Sequence, residues 1–233
     1  MTLTGHTVKA YEKDLEALTA MIVRLGGLVE SHLQAALQAV AQRDLAHAHQ
    51  IVRDDDRIDD LEREVGDAAV RLLALRQPLA HDLRITLAAI KIASDLERIG
   101  DLATNIAKRV RRLVDMPRIS AISGLIHMGE EAQGQLHAAI DAYVRDDVEA
   151  ASAVWHGDER VDEFYVSLFR ELLTYMMEDA RMITPCAHLL FIAKNLERVG
   201  DHCTNIAETI HYQVTGERMP ELTRRAANHD DRG

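Results

Sequence analysis

The chain has 233 residues, with 27 Lys and Arg against 38 Asp and Glu, and so a net charge of -11 at neutral pH. That balance leaves no electrostatic footprint for nucleic acid and disfavours direct docking on anionic lipid; it suits a bound cation or a basic protein partner. Two cysteines, a charged N-terminal segment and the lack of any apolar stretch of bilayer length predict a soluble, cytoplasmic protein.

Aromatic residues make up 4% of the chain and there are four prolines, a composition that favours helix. Apolar residues recur at three- and four-residue spacing along almost the whole length, as in helices that bury one face. The first predicted helix carries Val8, Tyr11, Leu15, Leu18, Ile22, Leu25 and Val29, with Gly26-Gly27 as a bend or packing contact and His32 at a core position. Asp44 is a suitable cap for a second, which carries Ile51, Ile58, Leu61, Val65, Ala68, Leu72 and Leu75. Pro78 ends it, and its fixed φ suits the first turn of the third helix. That helix carries Ile92, Leu96, Ile99, Ala103, Ile106 and Val110.

A fourth helix is predicted over about residues 120–145, with Asp147 in the capping role of Asp44. The fifth carries Val154, Val161, Phe164 and Leu168; the sixth starts near Pro185 and carries Leu189, Ile192, Leu196, Val199, Cys203, Ile206 and Ile210. The expected fold is all-α, with two pseudo-symmetric up-down three-helix bundles over residues 1–115 and 116–214 and a flexible tail over 215–233.

The duplication is explicit. Residues 96–107 (LERIGDLATNIA) and 196–207 (LERVGDHCTNIA) agree at nine of twelve positions, which marks a repeated supersecondary unit. With Leu96, Ala103 and Val110 at heptad position a and Ile92, Ile99 and Ile106 at d, Glu97 falls at b, Asp101 at f and Asn105 at c. These three lie on the outer side of their helix, one turn apart. Glu197, Asp201 and Asn205 repeat the stripe, while Asp55/Asp59 and Asp158/Asp162 provide a second pair of stripes on the preceding helices. All-oxygen ligands of this kind suit hard cations such as Mg²⁺, Ca²⁺, Mn²⁺ or ferric iron better than a Cys/His zinc site does.

Single carboxylate pairs four apart are ordinary solvated surface in an acidic helical protein. Four pairs at matching places in two repeats point to metal binding. Gly100 and Gly200 fit close packing of a neighbouring helix, and Arg98 and Arg198 fit pairing with nearby carboxylates. His202 has Leu102 as its counterpart and is not counted as a ligand; a di-iron oxidase core needs two Glu-x-x-His motifs, and only Glu208-x-x-His211 is present.

With both Leu-Glu-Arg-[Ile/Val]-Gly-Asp blocks, the sequence resembles the PhoU family over about residues 6–216. His6-Thr7-Val8-Lys9-Ala10-Tyr11 and Gln77-Pro78-Leu79-Ala80 followed by Asp82-Leu83-Arg84 belong to the same pattern. The resemblance implies carboxylate-bound metal ions (iron, magnesium, manganese or zinc) at Asp55, Asp59, Glu97 and Asp101 in one half. In the other it implies Asp158, Asp162, Glu197 and Asp201, with Asn105 and Asn205 extending the stripes. It further implies a non-enzymatic negative regulator of the phosphate-starvation response and of phosphate uptake. Its partners would be the ATPase subunit of the phosphate ABC transporter, a sensor histidine kinase and a second copy of itself. Two other readings stay open: a metal-dependent phosphatase acting on a phosphorylated regulator, and a metal-free helical adaptor.

Overall fold

The computed structural model describes residues 3–76 and 78–219. Among the described residues seven α-helices follow one another: α1 Leu3–Gln42, α2 Leu45–Asp54, α3 Asp56–Arg76, α4 His81–Leu113, α5 Ile122–Arg145, α6 Val148–Glu178 and α7 Ile183–Thr215, with a 3₁₀ turn at Ala180–Met182. No strand occurs among the described residues. The all-α expectation holds.

Capping explains where α2 and α6 begin. Asp44 Oδ1 accepts from the His47 N–H at 2.9 Å, and Asp147 Oδ1 accepts from the Ala150 N–H at 2.9 Å. Just before each cap sits a left-handed residue, Arg43 (φ 57°) or Asp146 (φ 50°). The Asp44 N–H then reaches back to the Ala39 carbonyl at 3.0 Å, and the Asp147 N–H to the Ala142 carbonyl at 3.0 Å, so one tight helix corner is built twice. Arg43 further donates to the carbonyls of Met116 and Pro117 in the connection between the halves. Asp44→Ala and Asp147→Ala are each expected to cost about 1 kcal/mol in urea denaturation; an unchanged midpoint would remove the cap from this account.

Two boundaries differ from the sequence expectation. The second helix divides at Asp55, within the run Asp54-Asp55-Asp56. Aspartates are poor interior helix formers, and the Asp55 carbonyl accepts from the Ile58 N–H at 2.8 Å as well as from Asp59 at 3.4 Å, which tightens one turn. Pro78 stands in the α3–α4 connection rather than in the first turn of α4, which starts at His81 after Ala80 turns to φ 49°. Gly216, at φ 77°, closes α7. Of the expected tail, residues 220–233 lie outside the described residues.

The helices that carry the repeated block, α4 and α7, lie against each other. Around this pair, α1 packs on α3, α4 and α5, and α5 and α6 pack on α7. The apolar core is continuous through both sets: Leu25, Leu96 and Ile99 belong to it with Leu136, Leu196 and Val199. Burying one such side chain contributes about 1.5–3 kcal/mol.

Glycines let the helices approach. A Cβ on Gly26 of α1 would overlap Ile140 of α5, and one on Gly129 of α5 would overlap Leu37 of α1. The two contacts are the same contact read in opposite directions, related by the 103-residue offset that also relates Asp55 to Asp158. Gly100 likewise admits Ile58, whose Cδ1 lies 2.9 Å from where a Cβ would stand.

Candidate functional site

The phase of α4 sends Leu96 and Ile99 inward and leaves Glu97 and Asp101 half-buried at the surface, with Asn105 exposed. The break at Asp55 and the start of α3 bring Asp55 and Asp59 against this face. Burial and then Asp101 push the Glu97 carboxyl above the ordinary carboxylate range, with Arg98 opposing and Asp59 and Glu62 adding. Burial pushes Asp55 up as well, opposed by a hydrogen bond from Thr104 and reinforced by Asp101 and Asp59. Arg98 offsets the crowding, 3.4 Å from Glu97 Oε2 and 3.3 Å from Asp101 Oδ2, and Lys108 opposes it at Asp55. Arg98 is well exposed, and exposed pairs of this kind contribute little. The four carboxylates expected in the first half are therefore assembled on one face, and their mutual repulsion is what a bound cation would relieve. Among the described residues no three His, Cys, Asp or Glu side chains enclose an ion as they stand, so a cation here would keep waters in its shell.

Beneath this face lies a polar network. His32, 6% exposed, places Nε2 2.8 Å from Thr104 Oγ1 and 3.7 Å from Asp55 Oδ1. Burial pushes its imidazole below the usual histidine range, so it is neutral at pH 7 and is no counter-ion. The expected core histidine is thus a hydrogen-bonded one.

The second half departs from the first. Glu197 and Asp201 take the outer positions on α7, and Asp162 is exposed on α6. Asp158 is not on the surface: it is 2% exposed, turned inward so that Oδ1 lies 2.6 Å from where a Cβ of Gly200 would stand. Spacing places Asp158 beside the apolar seam without fixing its direction; the space that Gly200 opens takes it inward. Glu197 is held by Lys194, whose Nζ is 2.6 Å from Oε1. Asn205 does not extend the stripe outward; its Nδ2 turns to Asp95 Oδ1 at 3.4 Å. An open groove of about 660 Å³ runs beside this face, lined by Asp162, Glu163, Tyr165, Arg170 and Glu197.

Sequence reading missed Asp95. It is buried at the α4–α7 seam, where Oδ1 also accepts from His202 Nδ1 at 2.9 Å. His202 therefore serves the contact between the halves. The signal was available: Asp95 occupies a position one residue from Leu96 and has Asn195 as its counterpart.

A family model described as the PhoU domain matches residues 22–110 and again residues 125–210. A relative from Caulobacter vibrioides, named phosphate-specific transport system accessory protein PhoU homolog, is 50% identical over 218 residues, covering 93% of this chain and 95% of that one. One of the same name from Rhizobium meliloti is 49% identical over 214 residues, covering 91% and 90%. The crystal structure of PhoU from Pseudomonas aeruginosa superposes with a TM-score of 0.84 at 38% identity, covering 89% of this chain and all of that one. The PhoU structure from Streptococcus pneumoniae gives 0.84 at 31%, covering 90% and 99%. Two matched repeats, identity along nearly the full length and a shared all-helical architecture make this chain a member of the PhoU domain family.

Proposed function

We propose that this chain is a cytoplasmic, non-enzymatic regulator of phosphate transport that restrains phosphate uptake and the phosphate-starvation response. It would do so as a metal-binding adaptor between the ATPase subunit of the phosphate ABC transporter and a sensor histidine kinase, working as a homodimer. The relatives named as accessory proteins of the phosphate-specific transport system support the transport assignment. Among the described residues no helix is long and apolar enough to cross a membrane, which fits contact with the membrane through partners alone.

The observation that carries the adaptor reading is the first acidic face. Its carboxylates are crowded together, half-exposed and open to solvent along two helices, which is a surface for docking rather than a chamber for chemistry. Asp55, Asp59, Glu97 and Asp101 would hold a divalent or ferric ion in this half, and Asp162, Glu197 and Asp201, joined by Asp158, in the other. A bound ion supplies positive charge to the face and changes which partner surfaces it attracts.

Affinity capture from phosphate-replete cells tests the reading. The wild-type chain should retain both the transporter ATPase and the kinase, and Glu97→Ala/Asp101→Ala/Glu197→Ala/Asp201→Ala should lose them, as should wild type treated with a chelator. Failure to retain either partner would sink the adaptor role. Capture that is broken by salt but indifferent to chelator would instead leave a metal-free adaptor.

A further inference from the structure

A groove of about 620 Å³ opens at one end of the α4–α7 seam, and none of the stripe carboxylates lines it. Its volume is in the range of small-molecule sites. The two helices run antiparallel: Arg84 Nε donates to the Gln213 carbonyl at 3.1 Å, Asp95 meets His202, and Arg109 lies over Phe191. The lining therefore has an order. Arg84, Leu87 and Lys91 follow one another on α4, facing Arg218, Tyr212 and Glu208. Seven residues of helix separate Arg84 from Lys91, about 10 Å.

Three cations converge here in a chain of net charge -11. Among the described residues neither Lys91 nor Arg218 makes an ion pair. Arg84 is set in place. Its Nη2 lies 3.5 Å from His81 Nδ1, and its Cζ lies 3.4 Å from where a Cβ of Gly216 would stand, so the left-handed glycine that ends α7 also makes room for the arginine. Nη1 keeps its N–H groups for an incoming acceptor. Tyr212 is 44% exposed. Glu208 Oε1 accepts from Nε1 of Trp155, the single tryptophan, at 3.2 Å.

The duplication provides a comparison within the molecule. At the offset of 100, the other end of the seam carries Phe191 for Lys91, Arg109 for Thr209 and His188 for Ala88. There Arg109 lies 4.5 Å over the Phe191 ring. Burial first, and Arg109 and Arg112 after it, hold the His188 imidazole below its usual range, a sign of how closely these side chains fill that end. Ala88 and Thr209 are small, and they leave the first end open.

We propose that this groove binds a nucleoside phosphate. Arg84 and Arg218 take the phosphate, whose oxygens guanidinium groups match. The ring of the base stacks on Tyr212, beside Leu87. Lys91 and Glu208 offer a donor and an acceptor to the base edge, the pair that a purine with an amino group beside a ring nitrogen satisfies. Inorganic phosphate meets only the first of these three demands and a nucleoside only the other two. No carboxylate of the acidic stripes takes part, so the inference is independent of the cation reading.

Titration of the full chain in EDTA, where no divalent cation can bridge a phosphate to an acidic face, tests this. Trp155 fluorescence, excited where nucleotides do not absorb, reports through Glu208, and calorimetry gives the constants. AMP and ADP should saturate a single site per chain, with adenosine and inorganic phosphate each about tenfold or more weaker. Arg218→Glu should weaken ADP about tenfold or more and leave adenosine unchanged. Tyr212→Ala should weaken ADP and adenosine about tenfold and leave inorganic phosphate unchanged. Lys91→Phe/Thr209→Arg, which copies the twin end, should abolish binding; if that pair fails to fold, the two variants at exposed positions still decide. No saturable binding of AMP or ADP, or ADP binding indifferent to Arg218→Glu, would overturn the site. Tripolyphosphate that binds as tightly as ADP, with Tyr212→Ala silent, would overturn the nucleoside assignment. Nucleotide binding in EDTA by a chain that takes up no metal would sink the cation reading alone and leave this one standing.

Discussion

Divalent cation at a free concentration one hundred times its Kd is expected to stabilise the wild-type chain by about 2.7 kcal/mol and Asp55→Asn/Glu97→Gln by far less. Without cation the order reverses. The double variant should then be the more stable protein at pH 7, by roughly 0.5–1 kcal/mol, since each removed like-charge contact is worth a few tenths. The pH dependence fixes the cause. Burial first, and neighbouring carboxylates after it, hold Asp55 and Glu97 above the ordinary range in the folded state.

Between about pH 4, where unfolded carboxylates titrate, and the raised folded values, the native chain binds more protons than the unfolded one. Stability therefore falls as pH rises through that window, and the full penalty stands at neutrality. His32 slopes the other way: burial pushes it down, so below about pH 6.5 the unfolded chain takes up that proton first and stability is lost on acidification. His32 is present in both proteins, so the difference between them reports the carboxylates together with any change that losing Asp55 makes to the histidine 3.7 Å away. The gap in urea-denaturation stability should shrink from pH 7 toward pH 4, and a gap that does not shrink would show that the carboxylates are not crowded in solution.

The second large effect belongs to the α1–α5 seam. Gly26→Val and Gly129→Val should each destabilise by about 1–3 kcal/mol, because the added methyls enter space held by Ile140 and Leu37. The small intrinsic gain of replacing a helical glycine does not offset this. Leu37→Ala should recover part of the loss in Gly129→Val while costing stability alone, since truncation empties the volume that the valine would fill. A Gly129→Val protein as stable as wild type in urea would mean that Leu37 repacks without cost.

The duplicated block, the inward phase of Leu96, Ile99, Leu196 and Val199, the caps at Asp44 and Asp147 and the packing role of Gly100 were all legible in the sequence. Each rests on periodicity or on a contact within a few residues. Heptad phase also put Glu97 and Asp101 on the right side of α4. It could not place Asp158, whose direction depends on the opening over Gly200 and on Gln135 arriving from a different helix. Nor could it find Asp95 with His202, a pair 107 residues apart, or the grip of Lys194 on Glu197, which depends on rotamers. The break at Asp55 lay within reach: three successive aspartates are a local signal that apolar spacing alone overrides.

The reciprocity of the α1–α5 seam has a consequence for assembly. When patch A of one half meets patch B of the other, and B meets A, the interface has the form of an isologous dimer contact, here enclosed in a single polypeptide. Tethering by the residues between α4 and α5 makes this association intramolecular, so it is independent of protein concentration. It also releases each copy from the demand for identity that true symmetry imposes. One half could then acquire a phenylalanine where its twin keeps a lysine, and an arginine where its twin keeps a threonine, without altering both sides of the contact at once.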